Sequence, residues 1–176
     1  MDDSQTGSSG GGKELEPRAP GVEDLVDLCR TLNQLDACYI VIGGFAMRSL
    51  GYERATMDID LIIDTSLPNE SKVYKALESL PYQAVKELEP GEVSQYRIVR
   101  IADEIVVDLM QSACGIDYDE AAKEAIIREV KGVPIPFASA KLLWRMKAKT
   151  HRAKDAPDLV YLREYFSHFD EEPPEV

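Results

Sequence analysis

Residues Cys38 to Asp64 read CYIVIGGFAMRSLGYERATMDIDLIID, and this stretch decides the fold. Cys38 to Ile42 is a short run of β-branched and aromatic residues stopped by Gly43 and Gly44, the pattern of a buried strand ending at a tight turn. Phe45 to Leu50 supplies apolar side chains for one or two helical turns, ended by Gly51. A strand passing through glycines into a helix start leaves backbone N–H groups facing outward with no Cβ in the way, a suitable place for phosphate oxygens. A Gly-Gly pair by itself is more often only a turn.

The second half of the stretch is more specific. Met57 to Ile63 reads MDIDLII, and the two-residue period of a strand puts Asp58 and Asp60 on one face, with Met57, Ile59 and Leu61 on the other. At ~3.3 Å per residue their Cα atoms lie about 6.6 Å apart, so the carboxylates can converge on a hard cation or a pair of them. Aspartate is a poor strand former, and two side by side repel unless a cation removes that cost. The plain alternative is a half-exposed edge strand with solvated aspartates.

A third carboxylate shifts the balance. Ile105 to Met110 reads IVVDLM, with Asp108 the single polar residue of an otherwise apolar run. A buried lone carboxylate needs a metal, a base or an arginine beside it. Asp58, Asp60 and Asp108 on neighbouring strands would form the three-carboxylate cluster that holds two magnesium ions for in-line transfer at phosphorus.

The Gly-Gly turn, the short helix, Arg54-Ala-Thr56-Met-Asp58-Ile-Asp60-Leu and a later strand aspartate together resemble the nucleotidyltransferase superfamily, most nearly the minimal branch that includes abortive-infection toxins and, more distantly, the antibiotic nucleotidyltransferases. The resemblance extends to Lys147, Arg152, Lys154, Asp155 and Asp158 and covers about residues 22 to 165. It implies an α/β (α+β) nucleotidyltransferase fold: a small mixed sheet flanked by helices, with C-terminal helices closing the cleft. It implies magnesium, with two ions and manganese as a substitute, an NTP donor, expected to be ATP, and a hydroxyl-bearing acceptor that could be a small molecule, a tRNA or a protein. It implies catalytic and metal-binding roles for Asp58, Asp60 and Asp108, and substrate contacts from Gly43, Gly44, Arg54, Thr56 and Lys147. One departure stands out: Gly44 replaces the serine of the antibiotic-modifying enzymes, so a hydroxyl that touches phosphate is missing. Thr56 would stand in for it only if the strand entry brings it near. A catalytically silent nucleotide-binding protein or toxin–antitoxin partner, and a domain whose aspartates hold a structural ion, are the competing readings.

The rest of the chain is consistent with one domain. Its 176 residues, 44% hydrophobic, suffice for a single core. There is no apolar run near the ~20 residues of a membrane span and no leader pattern, so a cytoplasmic protein is expected. Cys29, Cys38 and Cys114 are scattered, which suits reduced thiols. The net charge of −12 argues against broad adhesion to nucleic acid or anionic lipid.

Residues 1–21, with SSGGG and two prolines, read as a disordered arm, residues 22–170 as the domain, and 171–176 as a frayed acidic tail. Val22–Leu35 and Pro68–Leu80 carry helical stripes. Gln95–Ile101 and Ile105–Met110 are expected strands of a hairpin that delivers Asp108 beside Asp60. Residues 111–132 carry no clear signal. Val133–Phe137, with Pro134 and Pro136, is expected to be an edge strand or extended stretch. Helices follow over Ser139–Thr150 and Asp158–Phe169. From Lys141 to Lys154 there are six Lys or Arg and no acid, either a solvated face or, through Lys147, the cationic side of a phosphate site. Asp155 and Asp158 either cap and solvate the last helix, or Asp155 pairs with Arg152 or Lys147.

Overall fold

The computed structural model describes residues 16–176. Helix α1 (Val22–Gln34) is followed by β1 (Tyr39–Ile42), α2 (Gly43–Ser49), β2 (Asp58–Ile63) and α3 (Leu67–Leu77). After a 3-10 turn come α4 (Glu92–Gln95), β3 (Val99–Ala102) and β4 (Val106–Met110). A small hairpin, β5 (Ser112–Ala113) with β6 (Ile116–Asp117), leads to α5 (Tyr118–Glu124), β7 (Ala125–Val130) and β8 (Val133–Ala138). Helices α6 (Ala140–Ala148) and α7 (Ala156–His168) end the fold. Six strands form one mixed sheet in the order β3-β4-β2-β1-β8-β7. None of the described helices is long and apolar enough to cross a membrane.

The register of the central strands places the acids. β2 runs parallel to β4 with Asp60 opposite Asp108, and antiparallel to β1 with Asp60 opposite Ile42. Because side chains alternate between the faces, Asp58, Asp60 and Asp108 share one face. Ile59, Leu61, Val107 and Leu109 go to the other, where each is fully buried. Removing such side chains from water is worth about 1.5–3 kcal/mol apiece, so the apolar half of each strand locks the register that aligns the acids. Asn69 of α3 fastens the far ends of β1 and β2. Its amide donates to the Cys38 and Asp64 carbonyls and its oxygen accepts from the Cys38 N–H.

Several local expectations are corrected. The strand expected over Gln95–Ile101 begins only at Val99, because Glu92–Gln95 is the short helix α4. Its start is held by buried Glu70 of α3, whose carboxylate accepts from the Gly91 and Val93 N–H groups, a partnership between distant parts of the chain. The segment Val133–Phe137 is not an edge strand: β8 lies between β1 and β7, and β7 takes the edge. Pro134 and Pro136 are tolerated because their N positions face the same side of the strand as the Pro134 carbonyl, which accepts from the Asn33 side chain, and on that side β8 meets β1 only near Phe137. The stretch without a clear signal forms β5, β6, α5 and β7.

Most of the expected arm lies outside the described residues. Of its last six, Pro20 is buried and the Arg18 N–H donates to the Glu104 carbonyl. In the expected tail, the Pro174 carbonyl accepts from the Trp144 indole.

Candidate active site

The three aspartates converge. One carboxylate oxygen from each of Asp58, Asp60 and Asp108 lies within 4.8 Å of the others. Asp108 is buried, and Asp58 and Asp60 are half-buried beside a cleft of about 370 Å³. Burial, reinforced by the charges of Asp58 and Asp108, pushes the Asp60 carboxyl up to about 7, although Lys147 and Lys154 pull it back. Burial and the Asp108 charge raise Asp58 as well. Among the described residues no hydrogen bond or ion pair reaches the Asp60 carboxylate. An unpartnered carboxylate among two others, open to a cleft, is a donor set that suits a hard divalent cation.

The glycine turn meets these acids at close quarters. Gly43 adopts φ +63°, in the left-handed region, and a Cβ built on it would fall 2.1 Å from Asp60 Oδ2. Gly44 is close-packed for a different reason: its Cβ would lie 2.6 Å from the Thr56 hydroxyl and 2.7 Å from Thr56 Cβ. The Thr56 side chain therefore fills the space into which a serine at position 44 would project. Its hydroxyl donates to the Asp58 carbonyl at 3.0 Å, which fixes the entry to β2.

Basic residues line the same cleft. Lys147, on α6 and 9% exposed, places Nζ 2.8 Å from Asp158 and 3.2 Å from Asp155. Arg54 reaches the same Asp158 carboxylate from the segment before β2, at 2.6 and 2.5 Å. Asp155 accepts from the Thr150 hydroxyl, Arg152 and Lys147. Burial alone would raise its pKa, and those partners hold it below the usual value. Both acids thus pair with Lys147, and the basic run from Lys141 to Lys154 divides. Lys147, Arg152 and Lys154 line the cleft, whereas Arg145 turns away to Glu120 and Glu124 on α5.

All eight residues expected at the site, Gly43, Gly44, Arg54, Thr56, Asp58, Asp60, Asp108 and Lys147, line this one cleft. Sequence reasoning missed Arg100. It stands opposite Asp108 in the antiparallel β3–β4 pair and donates two hydrogen bonds to that carboxylate, Nε at 2.9 Å and Nη2 at 2.8 Å. Nη2 also lies 3.4 Å from Asp58. The signal was in the hairpin: a tight connection pairing Ala102 with Val106 necessarily sets Arg100 across from Asp108.

No family model matches the chain, and no curated protein sequence does. Among solved structures it is similar to a Thermotoga maritima protein provisionally named a nucleotidyltransferase, at 17% identity, with 81% of this chain and 92% of that one covered and a TM-score of 0.51. At that identity the likeness is one of architecture, and the chain has the mixed-sheet fold of that nucleotidyltransferase-named neighbour.

Proposed function

We propose that this protein is a divalent-metal-dependent nucleotidyltransferase that moves a nucleoside monophosphate from an NTP to a hydroxyl of an acceptor. The observation that carries the reading is the convergence of Asp58, Asp60 and Asp108 in a cleft that Lys147, Arg54, Arg152 and Lys154 also line. The acids suit a cation, the basic residues an anion. A metal-bound triphosphate presents both charges together.

Magnesium, or manganese in its place, would be held by Asp58, Asp60 and Asp108 and would neutralise charge on the triphosphate. The acceptor oxygen attacks the α-phosphorus, the bond from that phosphorus to the bridging oxygen of the β-phosphate breaks, and pyrophosphate leaves. Asp108, fixed in orientation by the Arg100 fork, receives the acceptor's proton. Lys147 and Arg54 face the phosphate chain, and Asp158 and Asp155 keep both cations in place before the substrate arrives. Gly43 and Gly44 present bare backbone beside the cluster, where a Cβ would strike Asp60 or Thr56. The fold shared with the Thermotoga maritima protein, together with that protein's name, supports the class of reaction.

The test is incubation with each of the four α-labelled NTPs and magnesium, with cell lysate supplying acceptors, followed by detection of labelled product and pyrophosphate. Asp58→Ala and Asp60→Ala each abolish labelling while the fold, followed by circular dichroism, persists. Label transfer surviving in either variant would overturn the assignment. Nucleotide binding without pyrophosphate release in the unaltered protein would instead identify a silent binding protein.

A further inference from the structure

We infer that Arg100 serves as a built-in second cation of the carboxylate cluster, so that the site takes one divalent ion per chain rather than two. This rests on the metal-binding part of the reading above and adds a positioning residue to it.

Two observations support the inference. The Arg100 guanidinium engages both oxygens of Asp108 in a fork, at 2.9 and 2.8 Å, and reaches Asp58 at 3.4 Å. A bidentate arginine–carboxylate pair is strong and directional, and it uses about half of the carboxylate's acceptor sites. An ion bridging Asp108 and Asp58 would have to compete with the group already bridging them. Charge points the same way. Three carboxylates with one guanidinium leave two negative charges, which a single divalent ion neutralises. A second would leave the cluster positive.

Arg100 reaches the cluster from the edge strand, not from the core. β3 ends the sheet, and 60% of the Arg100 side chain is exposed even while its head group holds Asp108. The core side of the same strand is carried by its neighbours Val99 and Ile101, both buried. Substitution at position 100 can therefore remove the cation without opening the hydrophobic interior.

The experiment counts manganese ions bound per full-length chain by electron paramagnetic resonance, without nucleotide. It compares the unaltered protein with Arg100→Gln and Arg100→Lys. The unaltered protein is expected to bind one ion with an isolated-ion spectrum. Arg100→Gln binds two, and the ions, at the roughly 3.5–4 Å spacing of two-metal sites, show spin coupling. Arg100→Lys keeps a positive charge and stays at one, a rescue that a merely structural role for the arginine would not produce. Circular dichroism confirms that each variant is folded.

Two coupled ions in the unaltered protein, or one ion in Arg100→Gln, would overturn the inference. So would a second ion bound by Arg100→Lys, which retains the charge. The proposed reaction fails separately: one bound ion with no label transfer from any NTP sinks the transferase and leaves the role of Arg100 standing. Absence of manganese binding sinks both.

Discussion

Asp60 Oδ2 occupies the space a Cβ on Gly43 would need, 2.1 Å from where that atom would be. The glycine and the acid are thus one device, in which the turn can pass close to the carboxylate only because it has no side chain. Gly43→Ala meets two penalties. Its φ of +63° costs an L-residue roughly 1–2 kcal/mol, and the methyl group must displace Asp60. The variant is expected to lose at least that much stability in urea unfolding and to lose measurable manganese binding. Manganese affinity equal to that of the unaltered protein would show that Asp60 is dispensable to the cluster.

Asp60 also links stability to pH. Burial, more than its neighbours' charges, pushes its carboxyl up to about 7, well above the usual aspartate value of about 3.9. The folded chain therefore holds this proton more tightly than the unfolded chain does. The contribution of Asp60 is most favourable below pH ~4 and is lost as pH rises from there through about 7. A divalent cation replaces the proton, so the stabilisation by magnesium should be small at pH 5 and reach its full size above pH 7. Melting temperatures with and without magnesium across that range check this, and Asp60→Asn should flatten the metal-free dependence. A magnesium shift as large at pH 5 as at pH 8 would contradict the assignment.

The parts of this fold that were legible in the sequence are those in which one short segment carries its own signal. The MDIDLII alternation fixes the face of Asp58 and Asp60 because a one-residue slip would bury both acids and expose Ile59 and Leu61. Asp108 was legible as an isolated acid in an apolar run. Arg100 was not, because its neighbourhood reads as an ordinary polar edge strand and its partner is set by the register of the hairpin. Helix α4 escaped because Glu70, some twenty residues earlier, completes its start. The position of β8 was misread for a related reason: proline excludes hydrogen bonding on one side of a strand, and only the tertiary arrangement shows which side that is.

Asp158 is 1% exposed and holds Lys147 and Arg54 together. Removing one partner from a buried charge cluster leaves the others uncompensated, typically at about 3–5 kcal/mol. Asp158→Asn retains the shape and removes the charge, and Asp155 still faces Lys147, so a loss nearer 2–3 kcal/mol is expected by urea unfolding. In activity, the released cations should weaken triphosphate binding more than the chemical step, raising KM for NTP about tenfold with a smaller fall in kcat. A fall confined to kcat would move Asp158 out of substrate positioning.

The pairing of Gly44 with Thr56 predicts the outcome of restoring the serine of the antibiotic-modifying enzymes. The new Cβ would come within 2.6 Å of the Thr56 hydroxyl and 2.7 Å of Thr56 Cβ, contacts that rotation of a flexible tip cannot relieve because one of them is to the β-carbon. Gly44→Ser is therefore expected to destabilise the protein by about 1–3 kcal/mol, as overpacking does, and to lower rather than raise activity. Thr56→Gly removes the obstruction but also the hydrogen bond to the Asp58 carbonyl, and is destabilising alone. With both changes, the nearest remaining atom of residue 56 is its Cα, 3.7 Å from the new Cβ, an ordinary contact. The double variant should then be more stable than the sum of the single losses, with a coupling of at least 1 kcal/mol in a double-mutant cycle. If a serine at 44 and a threonine at 56 serve the same phosphate, activity follows the same pattern, lost in each single variant and partly regained in the pair. Additive losses, in stability and in label transfer alike, would show that the two positions do not share one space.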